Sequence, residues 1–206
     1  MFITFEGGEG SGKSTAIKHI VEQLQKDGFE IVLTREPGGT PISEQIRSVI
    51  LDKKNTEMDP VTEALLYAAS RRQHIVEKII PSVKEGKIVL CDRYLDSSLA
   101  YQGVARKLGV DYVYELNQFA TEGLLPDLTL LFDLEPEIGL KRISSNSSRE
   151  VNRLDVEKLD FHHMVRDAFL SLAKRFPDRY VIIDASSSPE KVACDAYEAI
   201  RKKMGR

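Results

Sequence analysis

The sequence predicts an α/β fold in which the strands of a parallel sheet alternate with helices. One observation is size, because 206 residues with 42% hydrophobic side chains suffice for one domain with its own core. Another is that short apolar runs alternate with stretches of helical periodicity. These runs are nearly continuous, which is typical of strands buried on both faces of a sheet. We therefore expect one domain over residues 1–206, with right-handed crossovers.

The chain begins with a strand, a loop and a helix. Phe2 to Phe5 is a short β-rich run that breaks at Gly7 and Gly8. Apolar residues at helical spacing follow it: Ile17, Ile20, Val21 and Leu24. Gly28 is expected to end this helix, because glycine readily adopts the left-handed conformation found there. Glu30 to Thr34 is then predicted as the second strand.

The same alternation continues along the chain. Three further strands are predicted, at Lys87 to Cys91, Leu128 to Leu134 and Tyr180 to Ile183. Helical stripes are predicted over Asp59 to Ile80 and from Leu159 to Phe176. A polar, serine-rich stretch from Ser144 to Arg153 interrupts this order, and it cannot bury much surface. We expect a mobile excursion there, with a solvated loop as the simpler alternative.

Charge and cysteine content narrow the class of protein. Lys and Arg total 29 against 32 for Asp and Glu, so the net charge of -3 favours neither nucleic acid nor an anionic membrane as partner. No apolar run approaches the roughly 18 residues that span a bilayer, and no basic residue precedes Lys13 as a secretory signal requires. We expect a cytoplasmic protein, with Cys91 and Cys194 as buried thiols.

A phosphate-binding loop lies between the first strand and the first helix. The stretch GGEGSGKS at 7–14 fills every fixed position of the GxxxxGK[ST] pattern. Glycines let successive backbone N–H groups point at phosphate oxygens, Lys13 reaches the β and γ phosphates, and the Ser14 hydroxyl can ligate Mg²⁺. The predicted nucleotide-binding residues are Gly7, Gly8, Glu9, Gly10, Ser11, Gly12, Lys13, Ser14 and Thr15. This pattern predicts an ATP or GTP site.

The rest of the chain favours a small-molecule kinase over other classes with this loop. No Asp has Gly three positions later and no NKxD sequence occurs, so the two expected parts of a switch GTPase are missing. No LSGGQ-like stretch supports a transporter ATPase. A kinase for another acceptor and a non-catalytic nucleotide-binding regulator stay open as alternatives, because the loop defines a superfamily and not a reaction.

Polar residues at the end of the third predicted strand indicate where a second substrate binds. Ligands of open α/β sheets bind outside the carboxyl ends of the strands, so Arg93 is expected to point at phosphates. Asp92 is expected to hold Mg²⁺ through water or to orient its neighbours, and a structural cap on the next helix is the alternative. Ser98 and Gln102 are four apart with Tyr101 alongside, and the Gln amide suits the edge of a nucleobase.

A second helix offers another such pair, Tyr67 and Arg71. The neighbouring Arg72 falls on the apolar line of the helix, where an unpaired charge would be costly. At least one of the two arginines is therefore expected to face a buried anion or carboxylate.

Six motifs together resemble the thymidylate kinase family over nearly the whole chain. They are FEGGEGSGKST at 5–15, TREPGGT at 34–40, LLYAASRRQH at 65–74, CDRYLDSSLAYQG at 91–103, PDLTLLFDLEPE at 126–137 and NRLD at 152–155. The resemblance implies a P-loop nucleoside-monophosphate-kinase-like three-layer fold, with a five-stranded parallel sheet and a small mobile lid at about 142–154. It also implies a homodimer that uses Mg²⁺ and transfers the γ-phosphoryl group of ATP to dTMP in dTTP synthesis.

The resemblance also assigns roles to individual residues. Arg71 and Gln102 would hydrogen-bond the thymine ring and Tyr67 would stack on it, with Ser98 and Tyr101 beside them. The dTMP phosphate would be held by Arg47 and Arg93, in a pocket shaped by Arg35 and Glu36.

For catalysis the resemblance implies Lys13, Arg93 and an arginine from the lid. Arg149 and Arg153 are both candidates for that arginine, because the phosphate loop contains no arginine. Glu9 would lie near the sugar and the metal, although it could be only a solvated carboxylate. Ser14 and Asp92 are the predicted metal residues.

Overall fold

A computed structural model describes residues 1–145 and 157–205. Five strands form one parallel sheet in the order β2-β3-β1-β4-β5. Their bounds are β1 Phe2–Glu6, β2 Ile31–Arg35, β3 Ile88–Asp92, β4 Leu128–Asp133 and β5 Tyr180–Asp184. The predicted five-stranded parallel α/β sheet is thereby confirmed, and no strand bound differs from its prediction by more than one residue.

Helices connect the strands and cover both faces of the sheet. The longer helices are α1 Lys13–Lys26, α2 Pro41–Leu51, α3 Pro60–His74, α6 Val110–Thr121, α7 Pro136–Ser144, α8 Leu159–Arg175 and α9 Pro189–Lys203. The short helices are α4 Ile80–Lys84 and α5 Leu95–Ser98. Two π-helical segments, Ile75–Ile79 and Leu99–Ala105, continue α3 and α5 without a break. Such wider turns are frequent at functional sites, and the second one carries Tyr101 and Gln102.

The sheet separates two apolar cores. Ile3 and Phe5 of β1 point to one face, where they pack in a buried cluster with α1 and α9. Phe2 points to the other face, where α8 and the π-helical segment Leu99–Ala105 complete a second cluster. Because successive side chains of a strand point to opposite faces, the apolar run of β1 contributes to both cores. The fold therefore has three layers, with the sheet between two layers of helices.

Register brings the functional ends of the central strands together. Phe5 of β1 and Arg35 of β2 both lie opposite Asp92 of β3. The phosphate loop after β1 and the Asp92-Arg93 pair after β3 therefore open on the same edge of the sheet, as the switch-point rule predicts.

Two expectations outside the sheet have different outcomes. Cys91 is buried, but Cys194 is exposed, because it lies on the solvent side of α9. The prediction that it is a buried small hydrophobe is wrong. The predicted lid at 142–154 begins within α7, and its residues from 146 onward lie outside the described part of the chain. Within residues 1–145 and 157–205, no helix combines the length and apolarity needed to cross a bilayer.

Candidate active site

A cleft of about 410 Å³ lies at the carboxyl edge of the sheet. The phosphate loop lines one end of it, and side chains from α3 and from the π-helical segment Leu99–Ala105 line the other. Residues predicted for both substrates meet there: Glu9 to Thr15, Glu36, Arg47, Tyr67, Arg71, Asp92, Arg93, Tyr101 and Gln102. The cleft therefore has a phosphate end and a base end, and these names are kept below.

Lys13 occupies the centre of the phosphate loop. Its ammonium group donates to the carbonyl oxygens of Gly7 and Gly8, both at 2.9 Å, and to Ser11 Oγ at 3.1 Å. Burial, with the positive charge of Arg93 as the second cause, lowers the pKa of Lys13 to about 8. The lysine is thus held over its own loop by neutral oxygens, which an anionic ligand can displace.

Two glycines bring the phosphate loop against α7. A Cβ atom on Gly10 would lie 2.2 Å from the carbonyl oxygen of Gly139, and one on Gly139 would lie 2.2 Å from that of Glu9. Real Cβ atoms do not approach oxygen this closely, so both positions require glycine. Gly10 also has φ of +69°, a conformation that other residues rarely adopt.

Arg93 joins the phosphate loop to β3. It donates to Glu9 Oε1 at 2.6 Å and to the carbonyl of Gly7 at 3.2 Å, and it lies over the ring of Tyr101. Although burial lowers it, the pKa of Arg93 is raised well above its usual value, chiefly by the carboxylate of Glu9. Its backbone has φ of +70°, which is strained for a residue with a side chain. Glu9 is therefore an ion-pair partner of Arg93 and not a solvated carboxylate.

Glu6, a buried carboxyl at the end of β1, holds the start of α5 in place. Its Oε1 accepts from the backbone N–H of Tyr94 at 2.8 Å, and its Oε2 accepts from Ser97 Oγ at 2.6 Å. Ser97 in turn accepts from Arg93. Burial, followed by the charge of Asp96, raises the pKa of Glu6 to about 8. Neither Glu6 nor Ser97 was predicted from the sequence.

Ser14 and Asp92 face each other at the phosphate end. Ser14 Oγ lies 3.5 Å from Asp92 Oδ2, while Oδ1 of Asp92 is buried without a hydrogen-bond partner in residues 1–145 and 157–205. The N-cap position of α5 is Tyr94, and among the described residues no side chain makes a capping hydrogen bond there. The capping alternative for Asp92 is therefore wrong. An unpaired buried carboxylate oxygen beside a hydroxyl is the hard oxygen donor set that Mg²⁺ prefers.

Arg71 is the centre of the base end and is only 1% exposed. Its Nε donates to Glu36 Oε2 at 2.7 Å, and its Nη2 donates to the carbonyl of Tyr94 at 3.0 Å. Its Nη1 donates to Ser98 Oγ at 3.0 Å and also to Asn117 Oδ1. Four of the five guanidinium N–H groups are thus engaged, and the second N–H on Nη2 has no partner in the part of the chain that the structure describes, so it can serve a ligand.

At least one of Arg71 and Arg72 was expected to face a buried anion or carboxylate. Arg71 meets this expectation through its ion pair with the buried Glu36. Arg72 instead donates to the exposed Glu122 at 2.8 Å. His74, which was not among the predicted site residues, is fully buried between Thr34 and the second carboxylate oxygen of Glu36. Glu36 therefore bridges two cationic or polar side chains at the base end.

The remaining predicted substrate residues take different positions. Tyr67 and Gln102 line the base end, and Gln102 donates its amide to the buried Glu63 at 2.8 Å. Arg47 lines the cleft and donates to the carbonyl of Pro37 at 2.8 Å. Ser98 reaches Arg71 and does not itself line the cleft. Arg35 lines it while pairing with the exposed Glu44.

Sequence analysis missed several members of this site. Glu63, Asn117 and Glu6 act through long-range contacts, and Arg142 of α7 lines the cleft next to the loop. For Glu6, Glu63 and Asn117 the one visible signal was a charged or amide side chain at a position that the strand or helical pattern makes apolar. Arg142 is exposed and had no such signal. Arg149 and Arg153 lie outside the described residues.

Comparisons with known proteins agree with this geometry. Residues 5–195 match the family model for thymidylate kinase. Relatives named thymidylate kinase include one from Geobacillus sp. (strain WCH70), 58% identical over 98% of this chain and 97% of the relative. Another, from Bacillus velezensis, is 56% identical over 99% and 96%. A crystal structure of thymidylate kinase from Ehrlichia chaffeensis superposes with a TM-score of 0.79, at 32% identity, over 97% of this chain and 98% of that one. The chain belongs to the thymidylate kinase family.

Proposed function

We propose that the protein transfers the γ-phosphoryl group of ATP to dTMP, giving ADP and dTDP as a step towards dTTP. The observation that carries this proposal is the division of one cleft into a phosphate end and a base end, with Arg93 between them. Family membership agrees with it. The enzyme is thus a kinase, a transferase with a phosphate group as acceptor.

At the phosphate end we assign ATP to the loop and to Lys13. The backbone N–H groups of residues 7–15 and the N-terminus of α1 would hold the phosphates, which carry the charge that favours such a site. Lys13 would exchange the carbonyl oxygens of Gly7 and Gly8 for the β and γ phosphates. A phosphate dianion would also restore the lowered pKa of the lysine, so that it stays charged during the reaction.

The fit of Asp92 and Ser14 to a hard cation supports Mg²⁺ at the phosphate end. These two residues would hold it, Asp92 directly or through water. The ion would neutralise charge on the phosphate oxygens of bound ATP.

At the base end we assign dTMP to Arg71, Gln102 and Tyr67. The free N–H of Arg71 and the amide of Gln102 would hydrogen-bond the thymine edge, with the Tyr67 ring stacked on the base. Ser98 and Glu36 would act by holding Arg71 in position. Arg47 and Arg93 would bind the 5′ phosphate of dTMP. Tyr101 and Glu9, which also line the cleft, would lie next to the sugar.

The reaction then needs mainly alignment and charge neutralisation. An oxygen of the dTMP phosphate attacks the γ phosphorus of ATP, and the bond to the β–γ bridging oxygen breaks, leaving ADP. This oxygen is already anionic, so no general base is required. We propose that Lys13, Arg93 and either Arg149 or Arg153 neutralise the transferred group.

The direct test is ADP release with a panel of nucleoside monophosphates. We expect turnover with dTMP and far less with dCMP, AMP and GMP. A better substrate among the other monophosphates would overturn the thymidylate assignment. ATP binding without turnover of any monophosphate would show the regulator alternative instead.

We further propose a homodimer through the outer faces of α3 and α6. Phe119 of α6 is 88% exposed and Leu65 of α3 is 50% exposed, and the two helices pack side by side. Tyr112 and Val76 add exposed apolar surface on the same helical stripes. A second copy of the chain would cover such a surface by two-fold symmetry. We expect Phe119→Asp to halve the mass measured by light scattering, while Ile182→Lys, also at an exposed apolar site, does not; a monomeric wild type would overturn the proposal.

We place the enzyme in the cytoplasm. Both cysteines are free thiols, which suits a reducing compartment.

A further inference from the structure

A buried carboxylate stands behind the residue that we assign to the thymine edge. Glu63 of α3 is 1% exposed, and its Oε1 accepts a hydrogen bond from Gln102 Nε2 at 2.8 Å. The same oxygen lies 3.5 Å from Nε of Arg106, whose Nη2 also pairs with Glu157 at 2.7 Å. Arg106 thus balances the charge of Glu63, while Gln102 donates a hydrogen bond to it.

The carboxylate determines which way the Gln102 amide faces. An amide has a donating and an accepting end of nearly the same shape, and its orientation follows from its hydrogen-bond partners. A carboxylate only accepts hydrogen bonds, so the nitrogen end of Gln102 must face Glu63. The carbonyl oxygen is then the end that is not committed to Glu63, and Gln102 lines the cleft.

We infer that Glu63 is a positioning residue that sets base specificity by presenting the carbonyl oxygen of Gln102, and not its NH₂ group, to the nucleobase. This inference rests on the proposed function. Thymine carries an N–H on ring position 3 and a carbonyl on position 4, whereas cytosine carries a bare nitrogen and an amino group there. A fixed acceptor at Gln102 beside a fixed donor at Arg71 matches the thymine edge and opposes the cytosine edge.

Arg71 is also held in one orientation by a buried carboxylate. Its four engaged N–H groups, one of them on the carboxylate of Glu36, leave only a donor for the ligand. Each of the two side chains assigned to the thymine edge is thus held by a buried carboxylate: Arg71 pairs with Glu36, and Gln102 donates to Glu63. Buried polar groups that meet a mismatched partner discriminate strongly, because the mismatch leaves them unpaired.

The test compares two substitutions of Glu63: one whose side chain can donate as well as accept a hydrogen bond, and one whose side chain can only accept. In Glu63→Gln the new amide can either accept or donate, so the Gln102 amide is free to turn its NH₂ group to the cleft. In Glu63→Asp the partner still only accepts, although it is one methylene shorter. We expect both to raise KM for dTMP, and Glu63→Gln alone to raise the dCMP to dTMP ratio of kcat/KM, by about tenfold. KM for ATP should change by less than about twofold in both.

A matched control lies on the surface just beyond α3. Gln73 Nε2 donates to Glu77 Oε2 at 2.9 Å, so Glu77→Gln makes the same chemical change in an exposed Gln–Glu pair. It should leave KM for dTMP and the selectivity ratio unchanged. Thermal unfolding of each variant shows whether it is folded under the assay conditions.

Both Glu63 variants are also measured in a Gln102→Ala background. If Glu63 acts through Gln102, neither variant changes KM for dTMP or the selectivity there. Persistence of the effects without Gln102, or equal shifts of the ratio in Glu63→Gln and Glu63→Asp, would overturn the inference. If Glu63→Gln is unfolded, Glu63→Asp alone tests the inference: its effect on KM for dTMP must disappear in the Gln102→Ala background, and its persistence there overturns the inference. Failure of the proposed function is separate, since it shows in the wild type as no preference for dTMP over dCMP.

Discussion

The two ends of the cleft hold their cationic side chains in different ways. At the phosphate end, Lys13 donates to neutral carbonyl oxygens of its own loop. At the base end, Arg71 donates to the buried carboxylate of Glu36 and to oxygens on two other helices and a loop. Lys13 therefore has local partners, whereas those of Arg71 come from across the fold.

The difference in partners predicts a difference in behaviour. A typical hydrogen bond contributes only about 1 kcal/mol net, so Lys13 exchanges a carbonyl for a phosphate oxygen readily. Removing one partner of a buried ion pair costs about 3 to 5 kcal/mol, so Arg71 keeps Glu36 whether or not a ligand is bound. The phosphate end is thus built to rearrange during the reaction, and the base end is built to recognise a shape that does not change. Substitutions at the two ends should accordingly affect different kinetic constants.

The largest effect is expected for Lys13→Met. This change removes the charge that moves onto the phosphates, and we expect kcat/KM for ATP to fall by about 10³-fold. Binding of dTMP, measured by calorimetry, should change little because the base end is preformed. Activity within about twofold of wild type would break the comparison at the phosphate end.

The next effect concerns Arg149 and Arg153. An arginine that neutralises a transferring phosphoryl group is worth about 10³ to 10⁵ in rate, far more than an exposed ion pair. We expect either Arg149→Ala or Arg153→Ala to lower kcat by about 10² or more, with dTMP affinity nearly preserved. Arg175→Ala, which removes an exposed arginine that pairs with Asp111, is the control. If both single variants and the double variant stay within about fivefold of wild type, neither arginine takes part in catalysis.

A smaller effect on a different constant is expected at the base end. Gln102→Ala removes one hydrogen-bond donor from the buried Glu63 and removes the proposed partner of the base, so KM for dTMP should rise about tenfold. The value of kcat at saturating dTMP should change far less. Gln73→Ala, which removes the Gln of a similar Gln–Glu pair outside the cleft, should change neither constant. A fall in kcat with unchanged KM would contradict the division of labour between the two ends.

The smallest effect should be on stability, at the residue that links the two ends. Glu6 accepts from the N–H of Tyr94, whose carbonyl accepts from Arg71, and from Ser97, which accepts from Arg93. Burial and Asp96 raise its pKa from 4.5 to about 8, so the folded state binds a proton that the unfolded state releases over this range. The stability that this proton contributes is complete below pH 4.5 and is lost as the pH rises through about 8.

We therefore expect the melting temperature of Glu6→Gln to gain on that of the wild type as the pH rises from 4.5 to 8. Melting curves at several pH values measure this directly. Asp127→Asn, which changes another carboxyl that accepts a backbone N–H, serves as the comparison variant. Parallel curves for wild type and Glu6→Gln would show that Glu6 does not titrate in this range.

The phosphate end could be predicted from the sequence, and the base end only in part. The bonds of Lys13 join residues two to six positions apart, so a contiguous motif contains all of them. The bonds of Arg71 and Gln102 join residues 23 to 46 positions apart, which only the packing of α3 against α6 and the π-helical segment creates. Arg71 was predicted from its helical pairing with Tyr67 and from the resemblance, whereas Arg72 was the arginine expected on the apolar line. Glu63 and Asn117 are polar side chains at apolar positions, but nothing local indicated which residues they contact. The resemblance to a known family indicated which substrate binds at each end of the cleft. It did not indicate which buried side chains hold the substrate-binding residues in place.

The paired approach of Gly10 and Gly139 has a consequence for how such an enzyme can change over generations. A side chain on either residue would overlap the main chain opposite, so neither position can vary first and let the other follow. Each position is therefore closed to any residue but glycine by the main chain opposite, although 129 positions separate the two. Because this contact fixes the distance between the phosphate loop and α7, we expect both glycines to persist in relatives whose sequences differ elsewhere.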